Sequence, residues 1–407
     1  MMPGSVKRKR ILTYISRPRR RKGMDILKAV VFGLFIISSY ISTTDAVSSW
    51  MYLGVVGVSP LVDQDMGMGT PPQSLADQHQ SDISISYAHS VCAALPGLVS
   101  RQIEVCQSHP NAIQSVSNGA RRAIHQCQYQ FRNERWNCTA IEDKQIFEYT
   151  IERGSKETAF IYAVTSAGVV HAVTQACSLG NLTECSCDMR RQGRSTPEGW
   201  KWGGCSDNLR YGISFSRQFV DAPEKTLQAT KSEGKESKNA RNLMNLHNNE
   251  AGRKAISNLM RMQCRCHGVS GSCEMKTCWR TLPPFNEVGD ILKQKYEHAI
   301  QVAGRNNEKL LQKKKRHITP LSKSDLVHIH KSPNYCVEDI KKGVLGTSGR
   351  VCNKTSTGPD SCDLLCCGRG YNTQVVKQVE RCFCKFVWCC SVKCKTCVTM
   401  MDVHTCK

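Results

Sequence analysis

Apolar residues recur at helical spacing between Ile113 and Phe131. Ile113, Val116, Ala120, Ile124, Cys127 and Phe131 share one stripe, with Arg121, Arg122 and His125 opposite it, the pattern of a helix with one face in a core. The run ETAFIYAVTSAGVVHAVTQAC, Glu157 to Cys177, is apolar on most faces, which predicts a helix in the middle of a helical domain. Arg210–Phe219 and Ser237–Met262 read as two more amphipathic helices. In the second, Leu243, Leu246, Ala251, Ile256, Leu259 and Met260 make a broad stripe. Prolines in WRTLPPF stop the chain after Cys278, and another helix is predicted from Asn286 to Val302. Beyond Cys336 the habit changes. TQVVKQVERCFCKFVWCC alternates loosely between apolar and polar positions, as strands do, and no long amphipathic helix follows.

These patterns divide the chain. Residues 1–46 read as a signal segment and 47–91 as a flexible leader, followed by a helical N-terminal domain, 92–302. A linker rich in Lys, Arg, Asn and His, 303–335, precedes a C-terminal domain, 336–407. The linker run QKKKRH is a solvated charge run open to proteases that cut at basic sites. The fold class is α+β: a helical domain carrying a disulfide-locked hairpin, then a small cysteine-rich β-hairpin domain. At the N-terminus a basic stretch precedes AVVFGLFIISSYI, an apolar run of 13 residues. A bilayer span needs about 20 residues, so a signal peptide cut near Ala46 is expected rather than an anchor. Met24 heads a more ordinary signal and offers an alternative start. A nuclear-localisation or nucleic-acid patch is the rival reading of the basic lead, and the apolar run that follows disfavours it.

The cysteines agree with export. Of 24, twelve lie between Cys92 and Cys278 and twelve between Cys336 and Cys406, which suggests two disulfide frameworks formed in an oxidising compartment. Structural zinc wants a recognisable four-ligand spacing. Here Cys-x-Cys, Cys-Cys and Cys-x-x-Cys mix without repeat, so no metal is expected. Nor do His247 and Glu250 in LHNNEAGRK make the His-Glu-x-x-His pattern. Asn248 and Asn249 there are expected to hydrogen-bond to neighbouring loops. Three glycosylation sequons, at Asn137, Asn181 and Asn353, fit the same compartment.

In an antiparallel hairpin the indices of facing residues have a nearly constant sum. Cys382 with Cys397 gives 779, Cys384 with Cys394 gives 778, and Cys389 with Cys390 gives 779. One hairpin, 382–397, therefore accounts for all six, with a vicinal bridge at its tip. Such a bridge is strained, because adjacent Cα atoms lie about 3.8 Å apart and ordinary bridges span roughly 4.4–6.8 Å. Phe386, Val387, Trp388 and Val392 beside that tip are expected to be exposed as a partner site; folding back of Trp388 onto the domain is the rival. Cys264 with Cys278 gives 542, and Cys266 with Cys273 gives 539. That second hairpin is expected to be irregular, with a bulge, and its inner bridge closes HGVSGS around Ser270. Ser270 can be a turn residue, a nucleophile or a modified side chain. The stretch lacks the strand-turn-helix frame of a Gly-x-Ser-x-Gly elbow and an oriented base. The residues alone put the turn reading ahead of modification.

The stretch CRCHGVSGSCEMKTCW resembles the signature of the Wnt family of secreted signalling proteins. So do QFRNERWNC, GGCSDN, LMNLHNNEAGRKA, LLCCGRGY and CKFVWCC, in order from about Cys92 to Lys407. SPNYCVED and MDVHTCK resemble one subfamily within it. The likeness implies a non-enzymatic extracellular ligand in which Ser270 carries an ester-linked palmitoleate, a covalent lipid rather than a cofactor. It implies the acyltransferase Porcupine and the carrier Wntless during export. It further implies grip on the cysteine-rich domain of Frizzled by a thumb at Ser270 and a finger formed by Phe386, Val387, Trp388, Cys389, Cys390 and Val392, with a co-receptor related to the LDL receptor. β-Catenin-dependent or independent signalling follows. By the same likeness Cys92 pairs with Cys106, Cys127 with Cys138, Cys177 with Cys185, and Cys187 with Cys205. Cys336 pairs with Cys367, Cys352 with Cys362, and Cys366 with Cys406. A net charge of +22 adds an expected hold on heparan sulfate at the cell surface. A serine hydrolase and a disulfide-rich matrix protein are the rival classes.

Overall fold

The computed structural model describes residues 49–58, 89–139, 147–229, 236–305, 309–312 and 321–407. The signal segment, most of the leader and the basic run after Gln312 lie outside the described residues.

Among the described residues seven longer helices organise the body: α1 (Ser100–Ser108), α2 (Ala112–Phe131), α3 (Lys156–Leu179), α4 (Leu209–Phe219), α5 (Ala222–Ala229), α6 (Glu236–Leu259) and α7 (Phe285–Glu297). Helix α3 is the axis, with every residue from Glu157 to Thr174 buried. It is long and apolar enough to cross a membrane, yet it lies in the protein interior, packed by α2, α4, α6 and α7. Small residues let the backbones meet. A Cβ on Gly119 of α2 would stand 2.5 Å from the Gly168 carbonyl oxygen of α3, and one on Gly252 of α6 would stand 2.0 Å from that of Ala163. Any larger residue would push these helices apart. The stripe expected on α2 is the buried one: Ile113, Val116, Ala120, Ile124, Cys127 and Phe131 all face the core.

Helix α6 departs from its expected stripe. Ala251 and Ile256 are buried, but Leu243, Leu246, Leu259 and Met260 are only half-buried, and Asn242, Asn245, Asn248, Asn249 and Arg253 turn inward instead. Each of these residues meets at least one fixed partner, which offsets much of the desolvation cost that normally keeps it out, although the Oδ1 atoms of Asn245 and Asn249 stay unbonded. Asn248 donates to the Val327 carbonyl at 2.9 Å and accepts from the Val327 N–H at 2.9 Å. Asn249 donates to Asp221 at 3.0 Å. Arg253 forks onto both carboxylate oxygens of Asp221, 3.0 Å each, a bidentate pair. His247 contacts the Asp325 carbonyl at 2.9 Å, and Glu250 pairs with Arg217 and Arg253. Both are committed to packing. Nearby, Glu224 accepts from the Tyr162 hydroxyl at 2.9 Å and from Asn245 at 3.1 Å. Burial pushes its carboxyl up to about 7.

The helix expected to reach Met262 ends at Leu259, and the one expected to reach Val302 ends at Glu297. The released residues form strands. β1 (Lys201–Trp202), β2 (Arg261–Cys266) and β3 (Lys276–Thr281) make one sheet. β4 (Ile300–Arg305), β5 (Lys309–Gln312) and β6 (Val327–His328) make another. Val302 and Val327 bury with Met244 of α6. The sequence read as a linker thus contributes strands to the wall of the helical body.

β7 (Val351–Cys352), β8 (Tyr371–Val387) and β9 (Ser391–Cys406) form the third sheet, in the order β7-β9-β8. Its core is Cys352, Cys362, Leu365, Cys366 and Cys406, with Tyr371 against it. The sulfurs of Cys352, Cys366 and Cys406 cluster within 4.8 Å, but bridges to Cys362 and between Cys366 and Cys406 hold them, so no thiolate is left for a metal. Arg350 ties this part to the body through the carbonyls of Arg135 (2.8 Å) and Arg132 (3.1 Å), while Arg135 donates to Leu364 O at 3.0 Å.

Among the described residues eleven cysteine pairs are bridged: 92–106, 127–138, 177–185, 187–205, 264–278, 266–273, 336–367, 352–362, 366–406, 382–397 and 384–394. The vicinal bridge expected between Cys389 and Cys390 is absent. Both are exposed free thiols, with sulfurs 3.5 Å apart. Each residue sits at positive φ, 65° and 79°, in the turn that reverses the ribbon. In that turn the two sulfurs stop well beyond the roughly 2.05 Å of a bridge.

Candidate functional site: two bridged hairpins

The first hairpin is β2–β3. Its ladder is regular from Arg261↔Thr281 to Cys266↔Lys276, and Cys264 directly faces Cys278. The expected bulge is not there. Cys266 and Cys273 bridge beyond the ladder's end, which is why their index sum differs. A strand from elsewhere stiffens the base, as β1 adds in parallel along β3 with Lys201↔Thr277 and Trp202↔Cys278. In the loop, His267 N–H donates to Met275 O (2.7 Å), Gly268 N–H to Ser272 O (2.7 Å), Gly271 N–H to Gly268 O (2.9 Å) and Ser272 N–H to Val269 O (3.1 Å). Only glycine fits at 268, where a Cβ would lie 1.9 Å from the Ser272 hydroxyl.

Ser270 stands at the tip in the left-handed region, φ 55° and ψ 27°. For a residue with a side chain this costs about 1 kcal/mol, which the two bridges and the loop hydrogen bonds offset. The residue is exposed, its hydroxyl makes no hydrogen bond within the described residues, and Val269 beside it is 84% exposed. Among the described residues no base or orienting carboxylate bonds to it. What it offers is a free primary alcohol on a braced, projecting loop.

The second hairpin is longer than its cysteines suggest: β8 and β9 pair from Tyr371↔Cys406 to Val387↔Ser391. Cys382 faces Lys395, one step diagonal from its partner Cys397. A bulge between Cys382 and Lys385 then shifts the register, with Phe383 at φ 47°. The turn is Trp388-Cys389-Cys390. Trp388 is 91% exposed, and Phe386, Val392 and Val387 are exposed beside it. Trp388 does not fold back onto the domain. Phe383, 76% exposed between two bridged cysteines, extends the apolar tip and was missed in the sequence. The signal was its place in Cys-Phe-Cys, where bridged neighbours forbid an inward turn.

The two tips belong to separate sheets. Of the sequons, Asn181 and Asn353 are exposed and Asn137 is half-buried. Asn353 accepts from both the N–H and the hydroxyl of Thr355, at 3.0 and 2.9 Å. Asn137 accepts from Thr139 at 2.5 Å beside the Cys127–Cys138 bridge.

A helical body and a cysteine-built ribbon, each ending in a braced tip that presents exposed groups, define a disulfide-rich two-part protein. The family model "wnt family" matches residues 94–407, and the chain belongs to the Wnt family, whose members are secreted ligands. It is 54% identical to Protein Wnt-16 of Mus musculus over 325 residues, 78% of this chain and 87% of that protein. Protein Wnt-16 of Bos taurus is 54% identical over 323 residues, with the same coverage. A chain in the solved structure of human WLS in complex with WNT8A superposes with TM-score 0.54 at 37% identity, covering 72% of this chain and 94% of that one.

Proposed function

We propose that this ligand is acylated with palmitoleate on Ser270 by Porcupine, is carried outward by Wntless and grips the cysteine-rich domain of a Frizzled receptor from two sides. The acyl chain on the thumb enters an apolar groove, and Phe386, Val387, Trp388, Cys389, Cys390 and Val392 meet the opposite face. A co-receptor related to the LDL receptor completes the assembly, and heparan sulfate holds the basic ligand at the cell surface. The observation that carries this reading is the exposed, unbonded Ser270 hydroxyl at the end of a doubly bridged loop. Burying a methylene is worth about 0.8 kcal/mol, but a single acyl chain binds membranes only marginally, so a lipid on such a loop can leave a bilayer for a receptor. A rigid loop also limits the ordering cost of binding. The solved WNT8A–WLS complex supports the carrier step by likeness.

Mass spectrometry of the secreted protein tests the reading. A palmitoleoyl mass on the Ser270 peptide, lost in Ser270→Ala together with Frizzled binding and most secretion, is the expected result. Full signalling by unacylated protein would overturn it. Labelling of Ser270 by a serine-reactive hydrolase probe would favour an enzyme instead.

A further inference from the structure

The thumb carries more than its serine. Around the loop, Val269 and Met275 are 84% and 69% exposed. Just below them the register sets out cations on both faces of the sheet. Lys201, Thr277 and Arg265 lie in one row across β1, β3 and β2, and Lys276, one residue along β3, points to the other face. Arg265, Lys201 and Lys276 have no carboxylate partner among the described residues. Arg261 at the base is paired with Glu287, and Arg190 with Asp188. The Lys276 ammonium sits 5.3 Å from the centre of the Trp200 ring, which holds it in place without neutralising it. The exposed Glu274 is the one carboxylate in the loop. An apolar tip above an unneutralised cationic collar matches a surface that is anionic outside and apolar beneath.

We propose that the thumb is a membrane-interface element. Val269 and Met275 enter the outer edge of the acyl region of an anionic phospholipid bilayer, while Arg265, Lys201 and Lys276 lie among the headgroups. The dimensions agree. Two residues of strand separate the Arg265 row from the His267–Met275 row, and with the loop this places the collar roughly 10 Å from the tip, within the depth such elements reach. A basic cluster is the second signal that turns one acyl chain's marginal binding into stable anchoring. Although it complements acylation of Ser270, the collar acts without it.

The test is vesicle flotation of the secreted full-length protein on pure phosphatidylcholine and on phosphatidylcholine mixed with phosphatidylserine. Each collar cation near an anionic surface contributes about a fivefold gain in partitioning. The double variant Arg265→Gln/Lys276→Gln is therefore expected to lose more than tenfold on the mixed vesicles and nothing on the neutral ones. Val269→Ser/Met275→Ser should lose partitioning on both. Rising salt should strip the parent protein from mixed vesicles only, a readout that needs no variant. Absence of salt dependence overturns the proposal. So does unchanged vesicle binding of the Gln variant accompanied by lost retention on heparin, which would make the collar a glycan site. Ser270→Ala is run alongside. If it partitions like the parent while the collar effect persists, the acylation reading fails and the membrane element stands.

Discussion

The body and the ribbon are held together by different means. The body fills its interior with side chains around α3, seats its helices backbone to backbone, and gives each inward polar residue of α6 at least one hydrogen bond. The ribbon has a core of five residues, four of them cysteines, and exposes Val375, Val379, Val398 and Met400 along its stem. A two-stranded ribbon is marginal by itself in water, so covalent bonds do there what burial does in the body. Rigidity at a projecting tip needs no large core, provided the chain is cross-linked close to it.

The sharpest way to break this contrast lies in the body. Arg253→Ala leaves Asp221 buried without its partner and is expected to cost about 3–5 kcal/mol, read by urea denaturation; a loss near zero would mean the core does not depend on that pair. Removing the Cys366–Cys406 bridge as a double alanine variant should cost about 2–5 kcal/mol. The loss should appear as protease sensitivity in the ribbon, with the helical circular dichroism of the body retained. Loss of helix signal in parallel would erase the distinction between the two parts. Gly119→Ala, which drives a methyl group into the α3 backbone, should cost about 1–3 kcal/mol.

Acidity sharpens the contrast further. Glu224 ionises near 4.5 in the unfolded chain and holds its proton up to about 7 in the fold, chiefly because it is buried. Between those values the native state binds more protons. Its contribution is complete below 4.5 and is lost as the pH rises through 7. Burial lowers His171, His247 and His328, and these work in the opposite sense, losing stability as the pH falls through 6.5. The measurement is therefore a difference: Glu224→Gln should flatten the parent's decline in unfolding free energy from pH 5 to 7.5, and matching pH profiles would refute it. Least of all should Trp388→Ala disturb folding, by no more than about 0.5 kcal/mol, while weakening receptor binding in a surface plasmon assay. Unchanged affinity would remove the finger from the interface.

Periodicity exposed α2, α3 and α4 because their apolar residues meet apolar neighbours. It misjudged the apolar stripe of α6, although Asn248 and Asn249 do bond to neighbouring segments as expected, at Val327 and Asp221, partners 79 and 28 residues away that no local window contains. The hairpin at Ser270 was legible from its cysteines, since a bridge across a ladder leaves an arithmetic trace in the numbering. That trace ends where the ladder ends, so the loop bridge looked like a bulge. The same arithmetic assigned Cys389 a partner in Cys390, because an index sum carries no information on where the sulfurs of adjacent residues point in a turn; here both stay free. It also stopped the finger at Cys382, because the stem between Tyr371 and Arg381 has no cysteines to betray its pairing. Ser270 could be located but not given a role from physics alone, since an exposed alcohol on a stiff loop says where something attaches and not what.

The grip of Arg350 on the carbonyls of Arg132 and Arg135 has a mechanical consequence. The Arg132 carbonyl belongs to the C-cap of α2, the helix seated on the central axis, and Arg135 follows in the next turn, so the root of the ribbon is tied to the end of that helix. A pull on the finger therefore has a direct route into the body at that joint.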